Sequence, residues 1–406
     1  RGLGDVYKRQ VLSLFISGIA AGAGIMAAQY WGKQDAASIE KVIPIALRTN
    51  LLFSGLFTIL AGFCPEMLMR IFTNDAALVA SGSQYLRAVA LSYVLCGISQ
   101  VYLILLKNTG HAAVSSRISS TAVVLNIILN AILIYGLCGA PALGIRGAAY
   151  ATVAARVVEL IWAYLETKKP ERVRILWNRL FSSAGKILSE DFWRYTLPVL
   201  AASLVWGIAY VLYSVIMGHM GSDAVAANSI TSIAKSLLSC LIRGVSGGAG
   251  VLIGNLLGAN ELEKAREYGG RLSHLSIAIG IVTGGLLMLI SPAIVHFAPL
   301  SDTAAEYLQY MLLFCGLNLM AQSVNTTVLD GIFCAGGDAK FDMQGNIGAM
   351  WCFSVPLGFL AAFWLKLPVM VVYCIVNLDE IVKLPAVYHH YKKDIWVRNI
   401  TRDIED

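Results

Sequence analysis

GIAAGAGIMAAQYWGKQD, residues 18–35, recurs 226 residues later as GVSGGAGVLIGNLLGANE, residues 244–261. The glycines return in register, and the acidic residue that closes the stretch, Asp35, becomes Glu261. With one single-residue slip the register continues downstream in three further correspondences: Pro65 with Pro292, Thr109-Gly110-His111 with Gly336-Gly337-Asp338, and Arg156 with Lys383. Several landmarks at one offset indicate an internal duplication.

The composition predicts that this duplication lies in a membrane. Hydrophobic residues make up 57% of the chain, charged residues make up 14%, and the mean hydropathy is +0.68. That is too little charge for a soluble globule, and many apolar runs are long enough to cross a bilayer. Eleven spans are predicted, at about residues 11–31, 42–64, 83–106, 117–138, 144–166, 193–218, 226–254, 270–291, 304–332, 342–364 and 367–388. Backbone amides in hydrocarbon must bond within their own segment, and the alternating pattern of a β-barrel is absent, so we expect helices only.

The basic residues predict the orientation. They concentrate in alternate loops, in the segment between Lys168 and Lys186, and in the tail that contains Lys392 and Arg402. By the positive-inside rule these segments, including the C-terminus, are cytoplasmic, in a multi-pass protein of the plasma (inner) membrane. The net charge of +6 therefore reflects topology, and no nucleic-acid partner is expected.

An odd number of spans conflicts with a duplication. The span at 193–218 has its counterpart before residue 1, so one helix is expected to be missing at the start. Residues 1–10, RGLGDVYKRQ, are charged where the second repeat is apolar, and we interpret them as a non-native or artefactual start. The predicted organisation is an N-terminal lobe at 11–167 (helices 2–6), a linker at 168–190, a C-terminal lobe at 191–390 (helices 7–12) and a tail at 391–406.

The predicted fold is thus an all-α polytopic membrane protein with eleven of twelve helices present. Its two parallel six-helix lobes are expected to be related by a pseudo-two-fold axis along the membrane normal, an arrangement that can open a cavity alternately to each side. In the linker, Val173, Leu176, Trp177 and Leu180 fall on one helical face. This pattern fits either a helix lying in the headgroup region or an ordinary basic linker.

Several motifs together resemble one known family. AAQYWGKQD with its counterpart IGNLLGANE, the turns LKNTGH and FCAGGDAKF, the helix VLNIILN and the terminal NLDEIVK are similar to the multidrug and toxic compound extrusion (MATE) family. The resemblance covers essentially the whole chain after residue 10. It implies a twelve-helix, two-lobed antiporter that exports organic, often cationic, small molecules in exchange for sodium ions or protons, and it agrees that the first helix is absent. No cofactor is implied, and a monomer is expected.

Two alternatives remain beside this hypothesis. A lipid-linked oligosaccharide or lipid II type flippase shares the lobed architecture, but its cavity would carry several cations, and few occur in mid-helix here. An intramembrane enzyme is disfavoured because neither GxSxG nor HExxH nor paired metal-ligand spacing appears, and no metal site is certain.

Intramembrane charges are the first candidates for function, because each costs roughly 2.5 to 3.5 kcal/mol at a helix centre. Asp379 and Glu380 lie near the middle of the last predicted helix, and Lys383 can pair with Asp379 at i, i+4. Two adjacent carboxylates share one cation, which leaves a spare charge and favours a role in ion coupling. Arg156 and Glu159 form a similar pair in the first lobe, for which a packing salt bridge is an equal alternative.

The predicted span 304–332 is unusually polar. Asn318, Gln322 and Asn325 advance by three or four residues and share one face, as in a cavity-lining helix. Asp330 continues that face towards the cytoplasmic end, where a solvated helix terminus is the alternative.

Further candidates come from the resemblance and from the repeat. Asn126 and Asn130 share a face of the fifth family helix, and some family members carry a coupling aspartate where this chain has Asn130. The acidic positions of the seventh and tenth family helices correspond to Trp206 and about Ser323. An amide oxygen can bind sodium but cannot carry a proton. Eight repeat-motif residues are assigned to helix packing, with helix bending as the alternative for the glycines: Gly18, Gly22, Gln29, Gly32, Gly244, Gly248, Asn255 and Gly258.

Overall fold

A computed structural model describes residues 3–70, 76–139, 141–175, 177–180 and 185–403. The chain divides into two compact lobes: the first holds the residues up to Leu200 together with Asp403, and the second holds Ala201–Arg402. The boundary falls inside one long helix, whereas the sequence placed the second lobe from residue 191 onwards.

The described residues form α-helices joined by short turns and π-helical segments. The helices of the first lobe are α1 (Leu3–Gly32), α2 (Ala36–Phe63), α3 (Pro65–Arg70), α4 (Ala76–Val89), α5 (Leu91–Leu106), α6 (Ala112–Tyr135) and α7 (Gly144–Thr167), followed by α8 (Lys186–Gly218), which crosses the boundary. Those of the second lobe are α9 (Ser222–Gly258), α10 (Leu262–Phe297), α11 (Asp302–Asn325), α12 (Ala339–Asn346), α13 (Val355–Phe359), α14 (Val369–Val376) and α15 (Asp379–Tyr391). π-Helical segments at Thr326–Phe333, Ile347–Ser354 and Leu360–Trp364 extend α11, α12 and α13.

The prediction of an all-helical membrane protein is confirmed. Nine helical stretches in the described ranges are long and apolar enough to cross a bilayer. One of them, Leu91–Tyr135, covers two predicted passes that are separated by a turn at Lys107–His111. The last predicted pass is not among the nine, because α14 ends at Val376 and α15 begins at Asp379. The expectation of one continuous last helix is therefore wrong.

The duplication is visible in the backbone of both lobes. Three pairs of equivalent residues adopt positive φ: Gln34 and Asn260 at 64° and 61°, Gly110 and Gly337 at 81° and 73°, and Gly139 and Lys366 at 80° and 50°. The first pair ends the quoted stretch in both repeats, and the next residue in each repeat donates its N–H to a carbonyl five residues back. Because few residues adopt positive φ, their recurrence at one offset identifies equivalent turns.

The glycines of the repeated stretch pack differently in the two lobes. A Cβ at Gly18 would lie 3.0 Å from Leu200, and a Cβ at Gly22 would overlap Thr196, so α1 and α8 approach closely there. At Gly244 and Gly248 no described atom lies within 4 Å of the Cβ position. The packing role predicted for Gly244 and Gly248 therefore needs correction. The equivalent glycines Gly24 and Gly250 are closely packed in both lobes: a Cβ at Gly24 would lie 3.0 Å from side-chain atoms of Asn108 and Ile104, and a Cβ at Gly250 would lie 3.4 Å from the Gly331 oxygen.

Two further predicted segments, the start at 1–10 and the linker at 168–190, can be compared with the structure. α1 begins at Leu3, so the helical backbone includes most of the predicted artefactual start, while residues 1 and 2 lie outside the described residues. In the described part of the linker, Trp177–Arg179 forms one 3₁₀ turn and α8 begins at Lys186, while Leu176 is outside the described residues. A single amphipathic helix over 173–180 is therefore not formed; the Trp177 indole instead donates to the Tyr102 hydroxyl at 2.9 Å.

Candidate functional site

The last pass breaks at Asn377 and Leu378, in the interior of the second lobe. The break leaves backbone groups without helical partners, which is costly in an apolar environment. The side chain of Asn318 on α11 donates to the Asn377 carbonyl at 2.6 Å and so satisfies one of them. Discontinuous membrane helices with exposed termini are characteristic places for ion and substrate sites.

Asp379 and Glu380 occupy the first turn of α15, where the helix dipole favours negative charge. Both side chains are buried, as is Lys383 one turn further on. The Lys383 ammonium lies 3.2 Å from Glu380 Oε1 and 3.8 Å from Asp379 Oδ2. The predicted partner of the lysine is therefore the more distant one, and Glu380 makes the closer ion pair.

The charged cluster extends onto α12, which the sequence analysis did not predict. Lys383 also donates to Asn346 Oδ1 at 3.1 Å, and the Asn346 amide donates in turn to Asp342 Oδ1 at 3.0 Å. Asp342 is 6% exposed, so it is a third buried carboxylate close to one lysine. We call Asp379, Glu380, Lys383, Asn346 and Asp342 the carboxylate cluster.

The polar face of α11 points at this cluster and at α9. Asn325 donates to both the backbone oxygen and the Oε2 of Glu380, at 2.7 and 2.8 Å. Gln322 accepts from the Ser239 hydroxyl of α9 at 3.5 Å. Asn318, Gln322 and Asn325 are 1, 8 and 2% exposed. The prediction of a face open to a cavity is therefore corrected: these amides pair with neighbouring helices within the second lobe.

Lys235 on α9 is a second cation in the membrane-spanning part of this lobe. Its ammonium donates to Asn318 Oδ1 at 2.8 Å, so Asn318 links the lysine to the broken last pass. Asp379 and Glu380 attract Lys235 only over a longer distance, since neither makes an ion pair with it within 4.0 Å.

Asp330 interacts electrostatically with the buried carboxylates Asp342 and Glu380. It lies in the π-helical segment after α11, and its side chain is exposed although it interacts electrostatically with Arg243 and Lys383. Arg243 is exposed as well, with its guanidinium 5.6 Å from the ring centre of Trp206. Both interpretations of Asp330, as a continuation of the polar face and as a solvated helix terminus, stay predictions.

In the first lobe, the predicted charged residues Arg156 and Glu159 pair with each other. Arg156 Nη1 binds Glu159 at 2.8 and 2.9 Å, and the Ser99 hydroxyl of α5 donates to the same carboxylate at 2.5 Å. Asn130 donates to Asn126 Oδ1 at 3.1 Å, and Asn126 donates to the Thr152 hydroxyl of α7 at 3.5 Å. The two predicted asparagines therefore form a neutral hydrogen-bonded ladder between α6 and α7.

Asp342, Asn346 and Asn377 were not predicted from the sequence as parts of one site. Asp342 and Asn346 are four residues apart on the helix that follows the glycine turn, which is a signal for one polar face, but only tertiary packing shows that this face meets α15. The described residues contain no group of three or more His, Cys, Asp or Glu side chains that could hold a metal ion.

Comparison with known proteins identifies the fold and its relatives. A family model for MatE proteins matches residues 10–132 and 198–360. The chain is 21% identical to the "Uncharacterized transporter YisQ" of Bacillus subtilis (strain 168), with 96% of this chain and 86% of that protein covered. It is also 21% identical to the "Probable multidrug resistance protein YoeA" of the same organism, with coverages of 97% and 86%.

Two solved structures share the architecture. The "Outward-facing conformation of a multidrug resistance MATE family transporter of the MOP superfamily" matches with a TM-score of 0.85 and 19% identity, over 95% of this chain and 85% of that one. The "Crystal structure of MATE in the straight conformation" gives a TM-score of 0.86 at 19% identity, over 97% and 87%. At this identity the structural similarity establishes the fold alone.

Proposed function

The chain belongs to the MatE family of membrane transporters, and we propose that it exports organic compounds, many of them cationic, in exchange for sodium ions or protons. Members of this family are multidrug transporters rather than enzymes and need no cofactor. The relatives favour multidrug export over the flippase alternative. The proposal places the chain in the plasma membrane as a monomer with a cytoplasmic C-terminus, working by alternating access.

The carboxylate cluster is the observation that supports ion coupling. Three buried carboxylates, Asp342, Asp379 and Glu380, surround one lysine, so the ionised cluster carries surplus negative charge inside a membrane-spanning lobe. Such a surplus is unfavourable without a compensating cation, because like charges and burial both disfavour it. Either a proton on one carboxylate or a sodium ion bound by their oxygens would neutralise it.

Asp379 is the carboxylate that we assign to the coupling ion. Both carboxylate oxygens of Glu380 accept hydrogen bonds, one from Lys383 and one from the Asn325 amide. We therefore assign Glu380 a stabilising role. Asp379 lies 3.8 Å from the lysine and begins a half-helix at the break. A group whose ion pair is long can exchange partners at a smaller cost than one that is fully bonded.

The test is export of a fluorescent cationic dye by cells that produce the protein, with the sodium and pH gradients collapsed separately. Asp379→Asn should reduce gradient-dependent efflux at least tenfold, while the protein remains in the membrane at normal abundance. Glu380→Gln should instead lower abundance or thermal stability, because it weakens the bonds to Lys383 and Asn325.

The matched control is Asp302→Asn, which removes an exposed carboxylate at the start of α11 and should leave efflux unchanged. Normal gradient-dependent efflux by Asp379→Asn would contradict the assignment of the coupling residue. If dye efflux by the unmodified protein is unchanged when either the sodium gradient or the pH gradient is collapsed, coupled export itself is contradicted.

A further inference from the structure

The chain that follows α15 folds back onto the second lobe. α15 ends at Tyr391, and residues 392–402 continue as turns and irregular chain. Trp396 in this segment is fully buried, and its indole stacks on the Tyr391 ring with centroids 5.7 Å apart and 27° between the planes. It belongs to the same hydrophobic cluster as Leu257 of α9 and Phe333. We call residues 394–399 the docked tail.

The docked tail holds the glycine turn that precedes α12. Arg398 Nε donates to the Gly336 carbonyl at 2.7 Å, and its Nη2 donates to the Gly337 carbonyl at 2.6 Å. Carbonyls just past a helix end have no partner within the helix, so the guanidinium caps them. A Cβ at Gly336 would overlap the Trp396 carbonyl, so the two backbones approach closely. The docked tail therefore fixes the start of α12, the helix that carries Asp342.

The same segment also holds α9 and α10. The Asn399 amide donates at 3.3 Å to the carbonyl of Gly258, the last residue of α9. Arg266 on α10 makes an ion pair of 3.0 Å with Asp394. The indole of the docked tail packs on α10, where a Cβ at Gly269 would lie 2.6 Å from its nearest atom. The ends of α9, α10 and α15 and the glycine turn are thus joined by one short stretch of chain.

α15 has the docked tail at one end and the break at 377–378 at the other. It is 13 residues long, about 20 Å at 1.5 Å per residue. A short helix next to a break can pivot there, because the residues of the break absorb the change in backbone angles. The docked tail opposes such a pivot at the far end, as does His390 Nε2, which lies 2.6 Å from Asp338 Oδ2. Any pivot would move Lys383 relative to Asp342.

Two features destabilise the docked state and so favour release. The indole N–H of Trp396 is buried and has no hydrogen-bond partner among the described residues. Water would satisfy this donor if the segment came away from the lobe. Asp394 adopts a φ of 52°, a region that residues other than glycine seldom occupy. Release would remove both costs, whereas the ion pair and the capping bonds oppose it.

The first lobe shows the contrast with a fixed arrangement. Its equivalent turn is covered by the indole of Trp31, which lies within α1 itself, and a Cβ at Gly110 would lie 3.6 Å from Trp31 Nε1. At the 226-residue offset the position of Trp31 is occupied by Leu257. The second lobe thus has its tryptophan on a segment that can detach without unwinding a membrane-spanning helix.

We propose that residues 394–399 are a reversible clamp on α15. When docked they hold this half-helix against the glycine turn, and when released they let it pivot about the break at 377–378. Transport requires the release. That last statement rests on the proposed export function, whereas the hold on α15 does not, so the two are tested by different measurements.

The hold on α15 is tested by hydrogen exchange of the purified full chain in detergent, followed by mass spectrometry. Trp396→Ala and Arg398→Gln should each raise amide exchange in segments 336–346 and 379–391 at least about fivefold, and leave α7 of the first lobe unchanged. Lys393→Gln is the matched control, because Lys393 is an exposed cation next to the docked tail and should have no effect.

If Trp396→Ala fails to fold, Arg398→Gln decides, since it removes the charge and keeps the indole in place. Unchanged exchange in 379–391 would overturn the proposal. An equal rise in both lobes would overturn it too, because it would mean a general loss of stability without a local hold.

The need for release is tested with a bridge that keeps the tail docked. In a cysteine-free background, Arg266→Cys with Asp394→Cys is bridged by a short, reductively cleavable bis-maleimide, since both native side chains are partly exposed. Bridging should lower dye efflux at least about tenfold, and cleavage of the bridge should restore it. Glu267→Cys with Arg271→Cys, bridged one turn apart within α10, is the control and should leave efflux unchanged.

Full efflux by the bridged 266–394 protein would overturn the requirement for release. Absence of efflux before bridging, in a protein that shows the expected exchange pattern, would instead contradict the proposed export function and leave the hold on α15 supported.

Discussion

Arg156 in the first lobe and Lys383 in the second are equivalent positions of the duplication, but their surroundings differ. Arg156 lies in an unbroken α7 and pairs with one carboxylate, Glu159, which also accepts from Ser99. Lys383 follows a helix break and faces the carboxylates Glu380 and Asp379, with a third carboxylate one hydrogen bond further away.

Equivalent positions of the two repeats therefore differ in their charged neighbours. With the offset that relates Arg156 to Lys383, the position of Asp379 corresponds to Thr152 in the first lobe. There the hydroxyl group joins a neutral asparagine ladder. The Arg156 site thus pairs one cation with one carboxylate, whereas the Lys383 site brings three carboxylates near one cation. The following substitutions test that contrast.

The largest expected effect is on folding, from Lys383→Met. It would leave the carboxylate cluster without its cation, and breaking a buried pair costs about 3 to 5 kcal/mol. Arg156→Met should cost less, because Glu159 keeps the Ser99 hydroxyl and the Arg156 side chain is 31% exposed. The measurement is the thermal unfolding midpoint of both purified variants.

Adding Glu380→Gln to Lys383→Met should recover part of the loss, since it removes one of the unbalanced charges. Equal destabilisation by Lys383→Met and Arg156→Met, with no recovery in the double variant, would show that the two lobes do not differ in charge balance.

A smaller effect is expected from removing one amide in each lobe. Asn325→Leu eliminates two hydrogen bonds to Glu380, one of them to its charged side chain, and should cost about 1.5 to 3 kcal/mol. Asn126→Leu eliminates neutral bonds of 3.1 and 3.5 Å at a partly buried site and should cost about 1 kcal/mol or less. Urea- or heat-induced loss of near-UV circular dichroism would compare them, and the opposite ranking would contradict the idea that α11 supports the cluster.

Thiol labelling can show how open α11 is. In a cysteine-free background, a cysteine at the exposed Asp330 should react with a small aqueous reagent at least about tenfold faster than one at Gln322, which is 8% exposed. A cysteine at exposed Lys340 provides the reference rate for this lobe. Similar rates at Gln322 and Asp330 would restore the earlier expectation that the polar face of α11 lines an open cavity.

The smallest effect concerns the equivalent turns that end the repeated stretch. Gln34 and Asn260 both adopt positive φ, and asparagine tolerates that region better than glutamine does. Gln34→Gly should therefore stabilise by up to about 1 kcal/mol, and Asn260→Gly by less. Differential scanning fluorimetry of the two variants side by side measures this; destabilisation by Gln34→Gly would mean that its side chain has a role of its own.

The sequence could predict the helices, the duplication and most passes, because apolar length and recurring glycines are local signals. It could not predict the break before Asp379, since NLDEIVK contains no glycine or proline and an unbroken helix was the simplest interpretation. Asn318 stabilises that break from 59 residues away in the chain. Asn325 and Lys383 were both predicted as candidate residues. Their partners Glu380 and Asn346 could not be predicted, because tertiary packing brings these residues together.

The broken last pass also has a consequence for how the protein is made. Asn377, Asp379, Glu380 and Lys383 fall in its middle, so this segment is a poor candidate for insertion by its own hydrophobicity. α11, which supplies the amides of Asn318 and Asn325, is synthesised earlier and can already be in the bilayer when the last segment leaves the ribosome. We therefore expect membrane insertion of the last pass to depend on its contacts with α11.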